Sequence, residues 1–224
     1  MTIKKVTKYC SVALLTLFSG SLLANSQANE NQAWNDLTDP RAIYSGVSVA
    51  AGSEGVNISA NYGGYLNGQY KHKITVEAMN DLEYYNVNYL LLNANTKSGF
   101  TVETTWDRDI WGINDQHDTS LGVFATIPLL NNKLNVYPKV NIGMLWGDDV
   151  DTTTYIKLDA TTRFNFNSMF WVGVTPTYTY AMKGYDLSEW QSSIDAGIQL
   201  TPAFAIAAHV NNDEEYWLDV VFAF

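Results

Sequence analysis

The sequence contains one cysteine and five prolines, and its apolar residues are scattered rather than gathered into long runs. A single thiol, Cys10, excludes an internal disulfide framework. After the first 28 residues there is no run of 18 apolar residues, so no transmembrane helix is predicted. Because lipid cannot satisfy unpaired backbone groups, a chain without such a helix can cross a bilayer only as a closed β-barrel.

Residues 1–28 are predicted to be a cleaved secretory signal. The basic start contains three lysines, Lys4, Lys5 and Lys8. An apolar stretch from Val12 to Leu23 follows, which is too short to span a bilayer as a helix. Small residues then favour cleavage after Ala28, with Ala24 as the competing site. Cys10 would leave with the signal, and no lipoprotein-type pattern surrounds it.

Basic residues are scarce in the remainder of the chain. The signal holds three of the 13 basic residues and none of the 23 acidic ones, so the mature chain would carry a formal charge of −13. That sign disfavours a nucleic-acid partner. We predict a periplasmic lead over residues 29–41 and one barrel domain over residues 42–224. A disordered lead is the favoured form, and a small plug that enters the barrel is its alternative.

Alternation of apolar and polar residues predicts about twelve β-strands. Their expected ranges are 43–51, 55–63, 68–79, 84–95, 99–109, 118–129, 133–146, 153–166, 169–182, 190–201, 203–210 and 215–224. Turn residues rich in Gly, Asn, Asp and Ser separate them. Because the first pair is rich in Gly and Ala, ten strands is the alternative. The predicted fold class is all-β, a closed antiparallel transmembrane barrel.

Charged residues on these strands avoid the apolar face. The ten residues that lie on the opposite parity are Lys71, Lys73, Glu77, Glu103, Lys139, Lys157, Asp159, Arg163, Asp195 and Asp219. Placing an Arg or Lys on the lipid face at mid-depth costs about 2 to 4 kcal/mol. We therefore expect all ten to point into the lumen.

The connections between strands alternate in charge. Acidic residues occupy every second connection, at Glu54, Asp81, Glu83, Asp107, Asp109, Asp115, Asp118, Asp148, Asp149, Asp151, Asp186, Glu189, Asp213, Glu214 and Glu215. The turns between them hold no acid. Longer outer loops and short periplasmic turns would give this pattern if both termini face the periplasm. Acidic loops can bridge through divalent ions to lipopolysaccharide, but no dedicated metal or cofactor site is predicted.

The last nine residues alternate strictly and end on an aromatic residue. One face of this predicted strand carries Tyr216, Leu218, Val220, Phe222 and Phe224. The pattern resembles the C-terminal strand of Gram-negative outer-membrane β-barrels, which their assembly machinery reads. The resemblance implies a location in the outer membrane, with the bilayer, lipopolysaccharide and that machinery as partners.

Size and strand number resemble the small twelve-stranded substrate-selective porins, such as the acidic-oligosaccharide channels. Those channels line their pores with arginine, whereas here Arg163 is the only arginine on the predicted lumen face. The resemblance therefore implies architecture and not substrate. We predict a narrow passive channel for small solutes.

Its predicted constriction prefers anions and contains Lys71, Lys73, Lys139 and Arg163 toward the periplasmic side, with Glu103 at the same level. Acidic residues at mid-height or above would form a vestibule over it. The alternative is a structural or surface-interaction barrel whose interior is filled by an ion network, with Glu103 as the counter-charge.

An enzyme is not predicted. The nearest approach to a hydrolase site is the grouping of His117, Asp118 and Ser120, which would lie on the outer side. No family spacing supports it, so an outer-membrane lipid hydrolase is only a remote alternative.

Overall fold

The computed structural model describes residues 36–37, 39–110, 113–147 and 151–224. The predicted signal lies outside these residues. Thirteen strand segments occupy the described part: β1 (Gly46–Gly52), β2 (Gly55–Tyr65), β3 (Tyr70–Met79), β4 (Tyr84–Asn93), β5 (Ser98–Ile110), β6 (Ile113–Ala125), β7 (Ile127–Leu129), β8 (Leu134–Trp146), β9 (Thr153–Asn165), β10 (Phe170–Lys183), β11 (Ser188–Thr201), β12 (Phe204–Asn211) and β13 (Tyr216–Ala223). No helix of the described residues has the length and apolar character needed to cross a membrane.

Antiparallel pairing closes these segments into a ring. Neighbouring strands pair in chain order, β1 pairs with β13, and β6 pairs with β8. Because β7 continues the line of β6, the described sheet has twelve strand positions. The prediction of a closed twelve-stranded barrel is confirmed. The ten-strand alternative is wrong, since the Gly- and Ala-rich β1 and β2 form a full hairpin.

One predicted strand is longer and less regular than expected. The alternation places its start at residue 118, but β6 begins at Ile113. The ladder is then interrupted at Thr126, between β6 and β7. Pro138 of β8 lies at the level of this break, and a proline has no N–H to donate to a neighbouring strand. The interruption therefore follows from one residue of the partner strand.

Side-chain burial separates the two faces of the wall. Trp171 and Tyr137 are each 2% exposed and point inward, whereas Val123 and Ile194 are 60% and 57% exposed and point outward. The outward face is apolar on every side of the ring, as a lipid-facing surface requires. The buried side chains of this fold are therefore those that point into the ring.

Turn residues adopt the backbone conformations that their chemistry permits. Asn80 and Asp81 have φ of 51° and 56°, and Asn131 and Asn132 have φ of 56° and 64°. Asn and Asp tolerate this left-handed region because their short side chains bond the local backbone. The turns predicted at these positions are where the hairpins reverse.

Candidate functional site

The lumen gathers the charged residues of the strands. The pairing register places all ten sequence-predicted charges on the inward face, at Lys71, Lys73, Glu77, Glu103, Lys139, Lys157, Asp159, Arg163, Asp195 and Asp219. Lys139 lies directly opposite Asp159. Lys157 is opposite Asn141, and Asp219 is opposite Ala207. Most of the ten therefore lie beside polar or small neighbours rather than beside one another.

Two ion pairs organise one half of the lumen. Lys139 Nζ lies 3.3 Å from Asp159 Oδ2, and Arg163 Nε lies 3.3 Å from Asp195 Oδ2. Both acidic side chains are buried. The interpretation that made Glu103 the counter-charge of these bases is wrong. Asp159 and Asp195 take that role because strand register brings them alongside, and residue parity alone does not reveal register.

Small residues make room for the second ion pair. Gly173 stands in register between Arg163 and Asp195. A Cβ at Gly173 would lie 2.4 Å from Asp195 Oδ1, which no side chain can tolerate without a shift. Trp171 Nε1 donates a hydrogen bond to Asp195 Oδ2 at 3.0 Å. Gly173 and Trp171 hold this ion pair in place, and the sequence interpretation did not identify them as a unit.

The opposite half of the lumen holds charged and polar residues of β3, β4 and β5. A cavity of about 140 Å³ lies against β3, β4 and β5. Its lining residues are Glu77, Met79, Tyr84, Asn86, Glu103 and Thr105. Asn86 Nδ2 donates to Glu103 Oε1 at 3.2 Å and to Thr105 Oγ1 at 2.9 Å. Glu103 is thus held by an amide and faces an acidic neighbour across the cavity, Glu77.

Two lysines of β3 lie near the end of the barrel that carries the termini. Lys71 Nζ is 4.6 Å from the ring centre of Tyr65, and Lys73 Nζ is 5.3 Å from that of Tyr44. Lys73 Nζ also donates to the carbonyl of Ala42 at 2.8 Å. Among the described ion pairs neither lysine has an acidic partner. They remain basic groups of the lumen.

Part of the lead occupies the same end of the lumen. We use the name lead segment for Asp36, Leu37 and residues 39–45. Leu37 is 8% exposed and packs on Trp171. Arg41 is also 8% exposed and lies among inward-facing aromatic rings. These described residues of the lead lie against the inner wall of the barrel, which is the arrangement that the plug alternative expects.

Burial changes the ionisation of two groups in the lead segment. It lowers the pKa of Arg41 to about 10, so the guanidinium is still charged at neutral pH. Burial also raises the pKa of Asp39 above its ordinary value. The backbone N–H of Arg41, which donates to Asp39 Oδ1 at 2.8 Å, opposes that rise.

The candidate hydrolase grouping does not assemble. His117 faces outward, with its ring centre 4.5 Å from that of Trp146. Asp118 and Ser120 lie on the opposite parity, and the Tyr155 hydroxyl donates to Asp118 at 2.7 Å. Within the described residues no group of three or more His, Cys, Asp or Glu could hold a metal ion. Asp148 and Asp149 lie outside the described residues.

Comparison with solved structures fits this geometry. The NanC porin superposes with a TM-score of 0.54 at 10% identity, covering 80% of this chain and 98% of its own. The KdgM porin superposes with a TM-score of 0.51 at 9% identity, covering 81% and 99%. The chain has the fold of outer-membrane porins.

A second KdgM structure, in complex with disordered oligogalacturonate, has a TM-score of 0.51 at 8% identity and covers 81% of this chain and 99% of its own. No protein-family model matches the sequence, and no curated protein does. Since identity to the porins is this low, the likeness concerns the fold, and the lumen residues must be interpreted on their own chemistry.

Proposed function

We propose that the protein is a passive channel for small hydrophilic solutes in the outer membrane of a Gram-negative bacterium. The observation that carries the proposal is a closed twelve-position barrel with an apolar outer face and a lumen lined by charged and polar groups. Lysines and carboxylates without ion-pair partners would be energetically costly in a lumen that water cannot enter, because burying an unpaired charge is costly. The porin fold of NanC and KdgM supports the same function.

The passage follows the β3 to β5 side. There the cavity beside Glu77 and Glu103 leaves space, whereas the β8 to β12 side is packed by Trp171, Tyr137 and the two ion pairs. Solutes that cross would meet carboxylates at mid-height and then the lysines of β3. Such a path suits small polar molecules better than long apolar ones.

The proposed selectivity is a mild preference for anions near the termini. Sequence interpretation assigned it to four bases, but Lys139 and Arg163 are neutralised by Asp159 and Asp195. Lys71 and Lys73 are the bases that remain to carry it. Their field acts across a low-dielectric wall, where charges interact more strongly than in bulk water.

The proposed orientation has both termini in the periplasm. The first residues of β1 and the last residues of β13 lie at the same end of the ring. Acidic connections such as Asp81 and Asp186 lie at the other end, where they would meet lipopolysaccharide. The assembly machinery would read the outward residues of β13 and the terminal Phe224.

Planar-bilayer recording tests the channel. Purified protein, shown to be folded by its altered gel mobility before heating, should produce discrete current steps. Liposomes that contain it should swell in small neutral sugars and not in large ones. Absence of both signals from folded protein would overturn the channel and favour the second candidate.

That second candidate is a structural barrel with a filled interior. The packing of Leu37 on Trp171 and the two buried ion pairs favour it. In such a protein the inward charges would serve stability only, and the outer loops would carry any interaction.

A further inference from the structure

Pro138 leaves one hydrogen-bond donor missing from the ladder between β6 and β8, and we call this position the gap. Thr126 N donates to Lys97 O at 2.8 Å, toward β5. Because successive residues of a strand point their backbone groups to opposite sides, the carbonyl of Ala125 faces β8. The register, in which Phe124 pairs with Lys139, puts Pro138 opposite Ala125. A proline there has no N–H, so the Ala125 carbonyl lacks its ladder donor.

Arg41 supplies the missing donor from inside the lumen. Its Nη1 donates to the carbonyl of Ala125. Its Nη2 donates to the carbonyls of Tyr137 at 2.6 Å and Pro138 at 3.2 Å. The guanidinium also lies 4.8 Å from the ring centre of Phe124 and 5.1 Å from that of Tyr137. A charged, planar five-donor group fits this gap, and a short neutral side chain would not.

A second attachment lies across the lumen from the first. Leu37 belongs to one buried apolar cluster with Trp171 and three small residues, Ala205, Ala207 and Ala223. Leu37 N donates to Gln199 Oε1 at 3.2 Å, and Gln199 is 1% exposed. Because the three alanine side chains are small, they leave space beside the wall for Leu37, which larger side chains would occupy.

The last residues of the lead segment, just before β1, are bound by a third part of the wall. Lys73 Nζ donates to Ala42 O at 2.8 Å, and Asn61 Nδ2 donates to the carbonyl of Tyr44. The lead segment thus runs from the β10 to β12 wall, past the β6 to β8 wall, to the β2 to β3 wall. It crosses the lumen near the end that carries both termini.

We propose that the lead segment is the constriction of the channel, anchored by Arg41 at the gap that Pro138 leaves in the ladder. The inference rests on the proposed channel function and adds to it the element that sets the size of the passage. Among the described residues, the chain's own N-terminal segment crosses the lumen and leaves less room for a solute. Solutes then pass between the lead segment and the β4 to β5 wall.

Single-channel conductance and thiol labelling test this together. Deleting residues 36–42 should raise conductance several-fold in protein that still shows folded gel mobility. In an Ala205→Cys background, a small charged thiol reagent should label slowly in the intact chain and much faster after the deletion. Gln191→Cys, exposed at the far end of the lumen, is the control whose labelling should not change.

Point variants distinguish the effect of anchoring the lead segment at Arg41 from the effect of the volume that the segment fills. Arg41→Ala should raise conductance and Ala205→Cys labelling in the same direction as the deletion. Pro138→Ala keeps the Arg41 side chain but gives Ala125 a ladder donor, so current noise and labelling should rise as the anchor loosens. Pro176→Ala, in a strand that the lead segment does not contact through its ladder, is the matched control and should behave as the parent.

The outcomes distinguish this inference from the channel itself. Discrete steps of equal size in the parent and the deletion, with unchanged Ala205→Cys labelling, would overturn the constriction and leave the channel standing. A Pro138→Ala protein identical to the parent would overturn anchoring at the gap. No current from either folded protein would overturn the channel, and the inference would fail with it.

Discussion

Arg163 of β9 and Asp195 of β11 form an ion pair across an intervening strand, with Nε 3.3 Å from Oδ2. They meet because the residue between them on β10 is Gly173, whose missing side chain leaves the space that Asp195 occupies. Trp171 covers the pair and donates to the carboxylate. The packed half of the lumen is built around this arrangement.

Breaking this pair should destabilise the barrel. Asp195→Asn removes the carboxylate charge that faces the buried Arg163 guanidinium, and breaking a buried ion pair in this way costs about 3 to 5 kcal/mol. Gly173→Ala should act in the same direction because its Cβ would displace the carboxylate. The temperature at which folded gel mobility is lost measures both. Asp213→Asn, on an exposed turn, should leave that temperature almost unchanged, and an equal loss there would contradict the assignment.

Reversing the charge of Lys71 should change ion selectivity. Lys71→Glu places a carboxylate beside Tyr65 at the level of the proposed anion-preferring region. The reversal potential in a salt gradient should move toward cation preference. Lys97→Glu makes the same change on an exposed turn, where salt screens the charge, and should move it less. Equal shifts would remove β3 from the selectivity proposal.

Outward aromatics of β13 should be needed for assembly. Phe222 pairs with Phe204, their ring centres 4.7 Å apart, and Phe224 is 75% exposed. Replacing Phe222 and Phe224 by Ser should lower the amount of folded protein in outer-membrane fractions. Phe166→Ser, at an exposed turn, is the control. If both proteins reach the membrane equally, the terminal residues carry no assembly signal.

Cysteine labelling of intact cells checks the orientation. The predicted mature chain has no cysteine, so single substitutions give clean signals. A cysteine at Ser188, beside the acidic end of the ring, should react with a membrane-impermeant reagent. One at Asn132, in the turn after β7, should react only after the outer membrane is permeabilised. The reverse pattern would place the termini outside.

Strand number and faces could be predicted because a barrel wall imposes a two-residue period on every strand. In β3, β8 and β11 every second residue is apolar, and these residues mark the outward face. This alternation can be recognised within one strand, without knowing which strands pair with it. The beginning of β6 is not predicted because the five residues after Ile113 are polar and give no apolar alternation.

Side-chain partners could not be predicted because they depend on register. Parity puts Glu103 and Asp159 on the same inward face, but only pairing with β8 puts Asp159 beside Lys139. The partners of Arg41 could not be predicted from the sequence, because its acceptors are backbone carbonyls far along the chain. Pro138 shows that one ladder donor is absent from β8, but its sequence position does not show which residue replaces that donor.

Ring closure joins the two ends of the polypeptide, since Gly46 of β1 pairs with Ala223 of β13. Until the last strand is in place, the sheet has two unpaired edges and no enclosed interior. Among the described strand pairings this one has the greatest sequence separation, and such contacts form late because closing a long loop is entropically costly. The lead segment directly precedes β1, so it is enclosed by the same event that seals the seam. A chain truncated within β13 would carry its lead segment on an open sheet, where proteases could reach it.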